Sequence, residues 1–327
     1  MNKRIEYYEF LRGIAILMVI GIHTYIPSNL TSVEGAISII TRQTLNCAVP
    51  IFLALSGFFL GRKLFDNKQT IIAFLKKQIP KVYIPCIIWS LPLLALDIRS
   101  GGVNIWKQVV YMSMCGYSIY YFIALIIQYY LLLPLLQKHL KRNMILSILI
   151  SAISICVVTY ANSVRAMSLP LILYAGPFVV WFVFYMLGVY YSRTERTYSL
   201  KCPIVIVLLG FFLECIETYF LNTRYTGGVG IKLSAFIYSY GMVLLALHPQ
   251  SEALYRKNIL TSCIAYIGKI SFGVYLTHCY FILVVDCFFY STSWTLRWSL
   301  VSLITIVFIA FTRKLLPWRF TKYIGFS

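Results

Sequence analysis

The chain is written as apolar stretches broken by short polar connections, and most stretches hold about 17 to 22 largely apolar residues, enough to cross a hydrocarbon layer as helices. Ten such spans centre near Val19, Ala54, Trp89, Ile127, Ser151, Val180, Leu209, Tyr240, Ile282 and Thr305. The connections alternate in charge. One set carries Lys3 and Arg4; Arg62, Lys63, Lys68, Lys76, Lys77 and Lys81; Lys138, Lys141 and Arg142; Arg193, Arg196 and Lys201; Arg256, Lys257 and Lys269; and Arg313, Lys314, Arg319 and Lys322. The other has only Arg42, Arg99, Lys107, Arg165, Arg224, Lys232 and Arg297. With 21 bases against 7, the positive-inside rule puts the richer set, and both termini, in the cytoplasm. Five successive returns to one side favour ten spans over nine or eleven. The expectation is an all-α polytopic membrane protein of about ten transmembrane helices with both termini cytoplasmic, set in a bacterial cytoplasmic membrane.

Composition agrees with a lipid environment: 327 residues, 60% hydrophobic and 12% charged, with mean hydropathy +0.79. The net charge of +19 would suggest nucleic acid in a soluble protein, but topology accounts for most of it, so no nucleic-acid partner is expected. Lys3 and Arg4 ahead of the first apolar run resemble the start of a signal peptide. No small-residue cleavage site follows, and the run reads as a retained helix. The nine cysteines, among them Cys47, Cys86, Cys156, Cys279 and Cys287, show no C-x-x-C spacing and read as small buried hydrophobes, with no metal site. Without repeats, low-complexity tracts or a Gly/Ser linker, residues 1–327 read as one integral-membrane domain with no appended soluble domain. Phosphate-loop, dinucleotide, zinc-protease and serine-hydrolase motifs are lacking.

Candidate chemistry begins in the first run, where Phe10 to Ile26 holds only two ionisable side chains, Arg12 and His23. Ionisable groups inside a membrane helix mark a functional site by default. Eleven residues turn a helix through roughly 20° beyond three full turns and rise about 16 Å, so the two share one face at two depths. Such a pair can grip a long ligand, with the guanidinium on a phosphate and the imidazole beside a reactive group. An arginine snorkelling to the interface and a core histidine bonded to a carbonyl form the alternative. Glu9 stands three residues before Arg12, placed either to fix the guanidinium or to form a surface pair at the helix start.

Further polar residues fall at matching depths. Glu214 and Glu217 share one face in the outer third of the seventh span, level with His23, where either carboxylate can orient the imidazole or move a proton. Asp286 near the outer end of the ninth span and His278 deeper on it are secondary candidates; Glu217 and Asp286 also read as solvated helix ends. Ser56 and Gly57 form a small-residue notch suited to close helix packing. Arg62, Lys63, Lys76, Lys77 and Lys81 gather at cytoplasmic ends, where nucleotide phosphates, anionic lipid or topology alone would use them. The aromatic groups Tyr120-Tyr121-Phe122 and Trp181-Phe182 read as interfacial belt, or as platforms for sugar rings.

The segment EFLRGIAILMVIGIHTY, with ten residues between its arginine and histidine, resembles the opening helix of the membrane-bound acyltransferase-3 family. PIFLALSGFFLGRKL is similar to that family's second helix, KKQIPKVYIPCIIWS to its basic approach to the third, and ISFGVYLTHCYFIL to its penultimate region. The resemblance implies about ten spans and transfer of an acyl group, usually acetyl from acetyl-CoA, to hydroxyls of envelope glycans. It carries the family's arginine and histidine to Arg12 and His23, and its basic cluster to Arg62, Lys76 and Lys77. Where many relatives have Trp-Phe before the fourth span, this chain has Tyr121-Phe122, which bears on acceptor fit.

Together these readings give an O-acetyltransferase. Acetyl-CoA enters from the cytoplasm, its phosphates on Arg12 and the basic cluster, its arm threaded toward His23, which acts as general base on the acceptor hydroxyl or carries the acetyl group transiently. The expected acceptor is a capsular, O-antigen or related polysaccharide or a lipid-linked oligosaccharide, with the lipid bilayer, a second copy of the chain and glycan-assembly proteins as further partners. A glycan transporter or flippase is the competing class, and succinyl transfer a variant within the same class.

Overall fold

The computed structural model describes residues 3–26, 32–102, 104–167, 169–225, 230–289 and 293–326, and among them every regular element is helical. In chain order the helices are α1 Lys3–Thr24, α2 Val33–Thr44, α3 Ala48–Leu60, α4 Lys68–Ser100, α5 Ile105–Ser113, α6 Tyr121–Leu136, α7 Leu140–Thr159 and α8 Leu171–Tyr174. They continue as α9 Phe178–Arg193, α10 Lys201–Arg224, α11 Leu233–Leu247, α12 Pro249–Leu254, α13 Ile259–Lys269, α14 Ser271–Phe288, α15 Trp294–Leu315 and α16 Trp318–Tyr323.

Among the described residues six helical segments are long and apolar enough to cross a membrane: Val33–Leu60, Lys68–Ser100, Leu140–Val164, Lys201–Arg224, Ser271–Phe288 and Trp294–Leu315. The first joins α2 to α3 through a 3₁₀ turn at Leu45–Cys47. Helices α6, α9 and α11 are as apolar but hold only 16, 16 and 15 residues. Helix α1 has the length, 22 residues, but Glu6, Glu9, Arg12 and His23 dilute its apolar character. All ten centres read from the sequence lie inside helices.

The chain divides into two compact units. The first comprises 1–63, 136–169 and 179–269. Within it α1 buries Ala15, Ile16, Val19 and Ile20 and lies directly on α13, since a Cβ on Gly13 would strike the Ile264 carbonyl and one on Gly268 the Glu9 carbonyl. Gly57 of the predicted notch abuts the Tyr185 carbonyl, and Gly188 returns the contact against Ala54, so α3 and α9 meet backbone to backbone. Close approach through small residues is how helices associate where lipid supplies no hydrophobic drive.

The second unit comprises 64–135, 170–178 and 270–327. Its long α4 opens with a capping box between Asn67 and Thr70 and runs through Pro80, Pro85 and Pro92, a pattern membrane helices tolerate. Tyr120 and Tyr121, and Trp181 and Phe182 of the first unit, are buried. Tyr120 donates to the Leu276 carbonyl at 2.7 Å. These rings fill helix contacts, because each phenol or indole is wanted where its apolar body is enclosed. The cysteines divide: Cys47 and Cys86 are buried, Cys279 partly so, while Cys156 and Cys287 lie exposed on outward helix faces, where apolar thiols suit lipid as well as a core.

Candidate functional site

Arg12 and His23 lie on the one continuous helix α1, so helix geometry keeps about 16 Å of rise between their positions. At the Arg12 end, Nη1 of Arg12 meets Oε1 of Glu9 at 3.0 Å and its Cζ stands 5.1 Å over the Phe59 ring. The second Glu9 oxygen is buried with no hydrogen-bond partner. Phe58 packs edge-on against Phe59 and carries two more guanidiniums, Arg62 at 5.1 Å and Arg196 at 5.5 Å. Arg196 also donates to the Leu247 carbonyl and approaches Glu252 at 3.9 Å, while Tyr8 donates to Glu252 at 3.0 Å. Three guanidiniums therefore gather on two phenyl rings against two carboxylates, in an arrangement suited to a polyanion.

The His23 end is built differently. Half-buried His23 is followed by Tyr25, whose ring lies 5.9 Å from the Arg42 guanidinium. Arg42 donates to Asn46 at 2.7 Å, and Asn46 donates to Glu214 at 2.5 Å and to Gln43 at 3.0 Å. Lys232 completes the network, with Nζ at 2.6 Å from Gln43 and 3.5 Å from Glu214. Glu214, Gln43 and Lys232 are each 1% exposed or less. Contacts through Asn46 and Arg42 link Glu214 to Tyr25, two residues beyond His23. Glu217 accepts from the Ser234 amide at 2.9 Å, tying α10 to the first turn of α11.

The other candidates fall elsewhere. Ser56 is half-buried on α3 beside the Gly57 contact, and Arg62 is exposed apart from its ring. In the second unit Lys76 and Lys77 are exposed on α4. His278 is fully buried, its Nδ1 against the Val274 and Tyr275 carbonyls of its own helix at 3.1 and 2.8 Å, which requires the proton on Nδ1. Asp286 is ion-paired with Arg297 between α14 and α15 rather than simply solvated.

The model of the Acyltransferase domain family matches residues 5–313, across nearly all of this architecture. The chain belongs to the acyltransferase-3 family. A relative named "Putative membrane-bound acyltransferase YfiQ", from Bacillus subtilis (strain 168), is 24% identical over 262 residues, 74% of this chain and 70% of its own length. An amino-acid racemase of Enterococcus faecalis is 28% identical over 219 residues, 61% of this chain but 30% of the racemase. Its name describes a protein mostly outside the match. No solved structure matches.

This acyltransferase-3 chain therefore has a membrane acyltransferase assignment with two distinct ends on its first helix. Sequence reasoning finds Arg12, Glu9 and Arg62 but misses Arg196, Glu252 and Tyr8, which converge from the connection between α9 and α10, from α12 and from α1. It also counts Arg42 and Lys232 as loop charges, whereas both are buried partners in the network that receives Glu214. No sequence signal marks them, since Arg99, Lys107, Arg165, Arg224 and Arg297 fall in the same sparse set of connections.

Proposed function

We propose that the protein is an O-acetyltransferase that moves an acetyl group from cytoplasmic acetyl-CoA to a hydroxyl of a cell-surface polysaccharide, working from ten spans in a bacterial cytoplasmic membrane with both termini inside. The observation that carries this reading is the guanidinium cluster on Phe58 and Phe59 at one end of the helix that bears His23 at the other. Donor phosphates exchange for Glu9 and Glu252 on Arg12, Arg62 and Arg196, and the pantetheine arm follows α1 toward His23. Its length is the quantity the spacing on α1 matches.

At the far end His23 takes the proton of the acceptor hydroxyl as its oxygen attacks the thioester carbonyl. The carbon–sulfur bond breaks, and coenzyme A leaves as the thiol with that proton. Transfer through an acyl-histidine is the second route to the same products. The buried Glu214 network holds the 3₁₀ turn beside this end of α1. The occurrence of all ten sequence-derived centres within helices supports the ten-span reading.

The test compares a deletion strain complemented with wild type, Arg12→Ala or His23→Ala at matched membrane abundance, reading O-acetyl content of the surface polysaccharide by proton NMR. His23→Ala is expected to slow transfer by about 10²- to 10⁴-fold, with polysaccharide yield unchanged. Normal acetylation with diminished surface polysaccharide would move the assignment to export.

A further inference from the structure

The first unit holds a second basic feature that the acyl-transfer reading does not use. An open pocket of about 430 Å³ is lined by Lys138, His139, Lys141, Arg142, Tyr190 and Thr194, with no carboxylate in its wall. The volume is that of a small-molecule site. Basic residues are expected at this end of α7 on topological grounds alone, but these three also line one shared hollow.

Elsewhere in the first unit, Arg193 donates to the Gly61 and Lys63 carbonyls, Arg196 reaches Leu247 and Glu252, and Lys257 pairs with Glu6 at 3.4 Å. Those bases are spent on the protein's own acceptors. Lys138, Lys141 and Arg142 form no ion pair among the described residues and are exposed around a shared hollow. The N-terminus of α7 begins inside the same wall, and no side chain caps it. Its positive dipole end adds to the three fixed charges.

An apolar stripe continues from the pocket. Ile145, Leu149, Ile153 and Val157 follow at four-residue intervals on α7 and are 61%, 55%, 65% and 62% exposed, forming an apolar stripe along one face. Arg142 lies less than one helical turn before Ile145. A phosphate group in the pocket therefore sits at the head of an apolar track directed along the helix. We propose that this pocket binds the phosphodiester headgroup of an anionic phospholipid, with its acyl chains lying along the exposed stripe of α7. Lys138, Lys141 and Arg142 supply the charge, and Tyr190 supplies a hydroxyl donor.

Purified full-length protein in nonionic detergent would be titrated with phosphatidylglycerol and with phosphatidylcholine, and bound lipid counted by native mass spectrometry. Glycerol 3-phosphate and inorganic phosphate serve as soluble competitors. Phosphatidylglycerol is expected to bind in preference to phosphatidylcholine, with affinity falling about fivefold for each base removed across the series Lys138→Ala, Lys141→Ala and Arg142→Ala. The charge-keeping pair Lys138→Arg and Lys141→Arg should bind as wild type, as should Lys201→Ala, an exposed base outside the pocket. Equal retention by wild type and the triple alanine variant overturns the site. Displacement by glycerol 3-phosphate at concentrations equal to the lipid overturns the lipid assignment and makes the ligand a soluble phosphate ester.

Discussion

The two ends of α1 handle charge in opposite ways. Around Arg12, guanidiniums rest on phenyl faces and reach partly exposed carboxylates: Glu9 is 15% exposed and Glu252 21%. Around the far end, Glu214 and Lys232 are sealed at 0% and 1% and share amide partners with Gln43 and Asn46. A cation on an aromatic face, with a partly exposed carboxylate nearby, changes partner at small cost. A buried ion pair cannot, because either charge left alone loses both its solvent and its partner. One end is therefore suited to exchanging anions and the other to holding a fixed geometry.

The largest expected effect strikes the fixed end. Lys232→Ala leaves Glu214 buried without its cation and removes the donor to Gln43. Breaking such a pair costs about 3–5 kcal/mol, so the purified protein should melt well below wild type in detergent. The double variant Lys232→Met with Glu214→Gln removes both charges while keeping volume, and it should recover most of the loss. If Lys232→Ala melts as wild type does, the buried pair does not secure α10 to the turn at Leu45–Cys47, and the contrast collapses at this end.

A smaller effect is expected at the exchanging end. Arg196→Ala removes one of three guanidiniums from the phenyl platform. It should raise KM for acetyl-CoA on the order of tenfold with kcat little changed, the signature of lost uniform binding. Arg196→Lys should recover only part, since an ammonium lacks the planar fork. An unaltered KM beside a lowered melting temperature would reassign Arg196 to structure, through its bond to the Leu247 carbonyl.

How far each end can be read from sequence follows from the distance its contacts span along the chain. Glu9 and Arg12 are legible because three residues apart on a helix means side by side. Arg12 and His23 are legible for the same reason over three turns. The notch at Gly57 is legible as a packing site, since a missing side chain inside an apolar run has few other uses. Arg196 and Glu252 meet Tyr8 from positions about 190 and 240 residues away, and no periodicity encodes that. Lys232 reads as one more loop base because its connection is polar. Only tertiary packing closes over it. Helix α13 escapes notice because its 11 residues are too few for a span, although Gly268 makes it the closest neighbour of α1 at Glu9.

The smallest effect is the sharpest test of exchange, because it concerns the sign of one charge's contribution. Glu9 bonds Arg12 through one oxygen and is 15% exposed, while its second oxygen is buried without a hydrogen-bond partner. If the carboxylate is a stand-in for donor phosphate, Glu9→Gln removes the competing negative charge while its amide oxygen still accepts from Arg12. The expected outcome is KM for acetyl-CoA lowered about two- to threefold, with steeper weakening as salt is raised, since more of the attraction is then unscreened positive charge. Glu9→Ala should do the reverse, because Arg12 then loses the group that orients it. A rise in KM for Glu9→Gln as large as that for Glu9→Ala would make the negative charge itself the orienting element. The Arg12 end would then be as fixed as the Glu214 end.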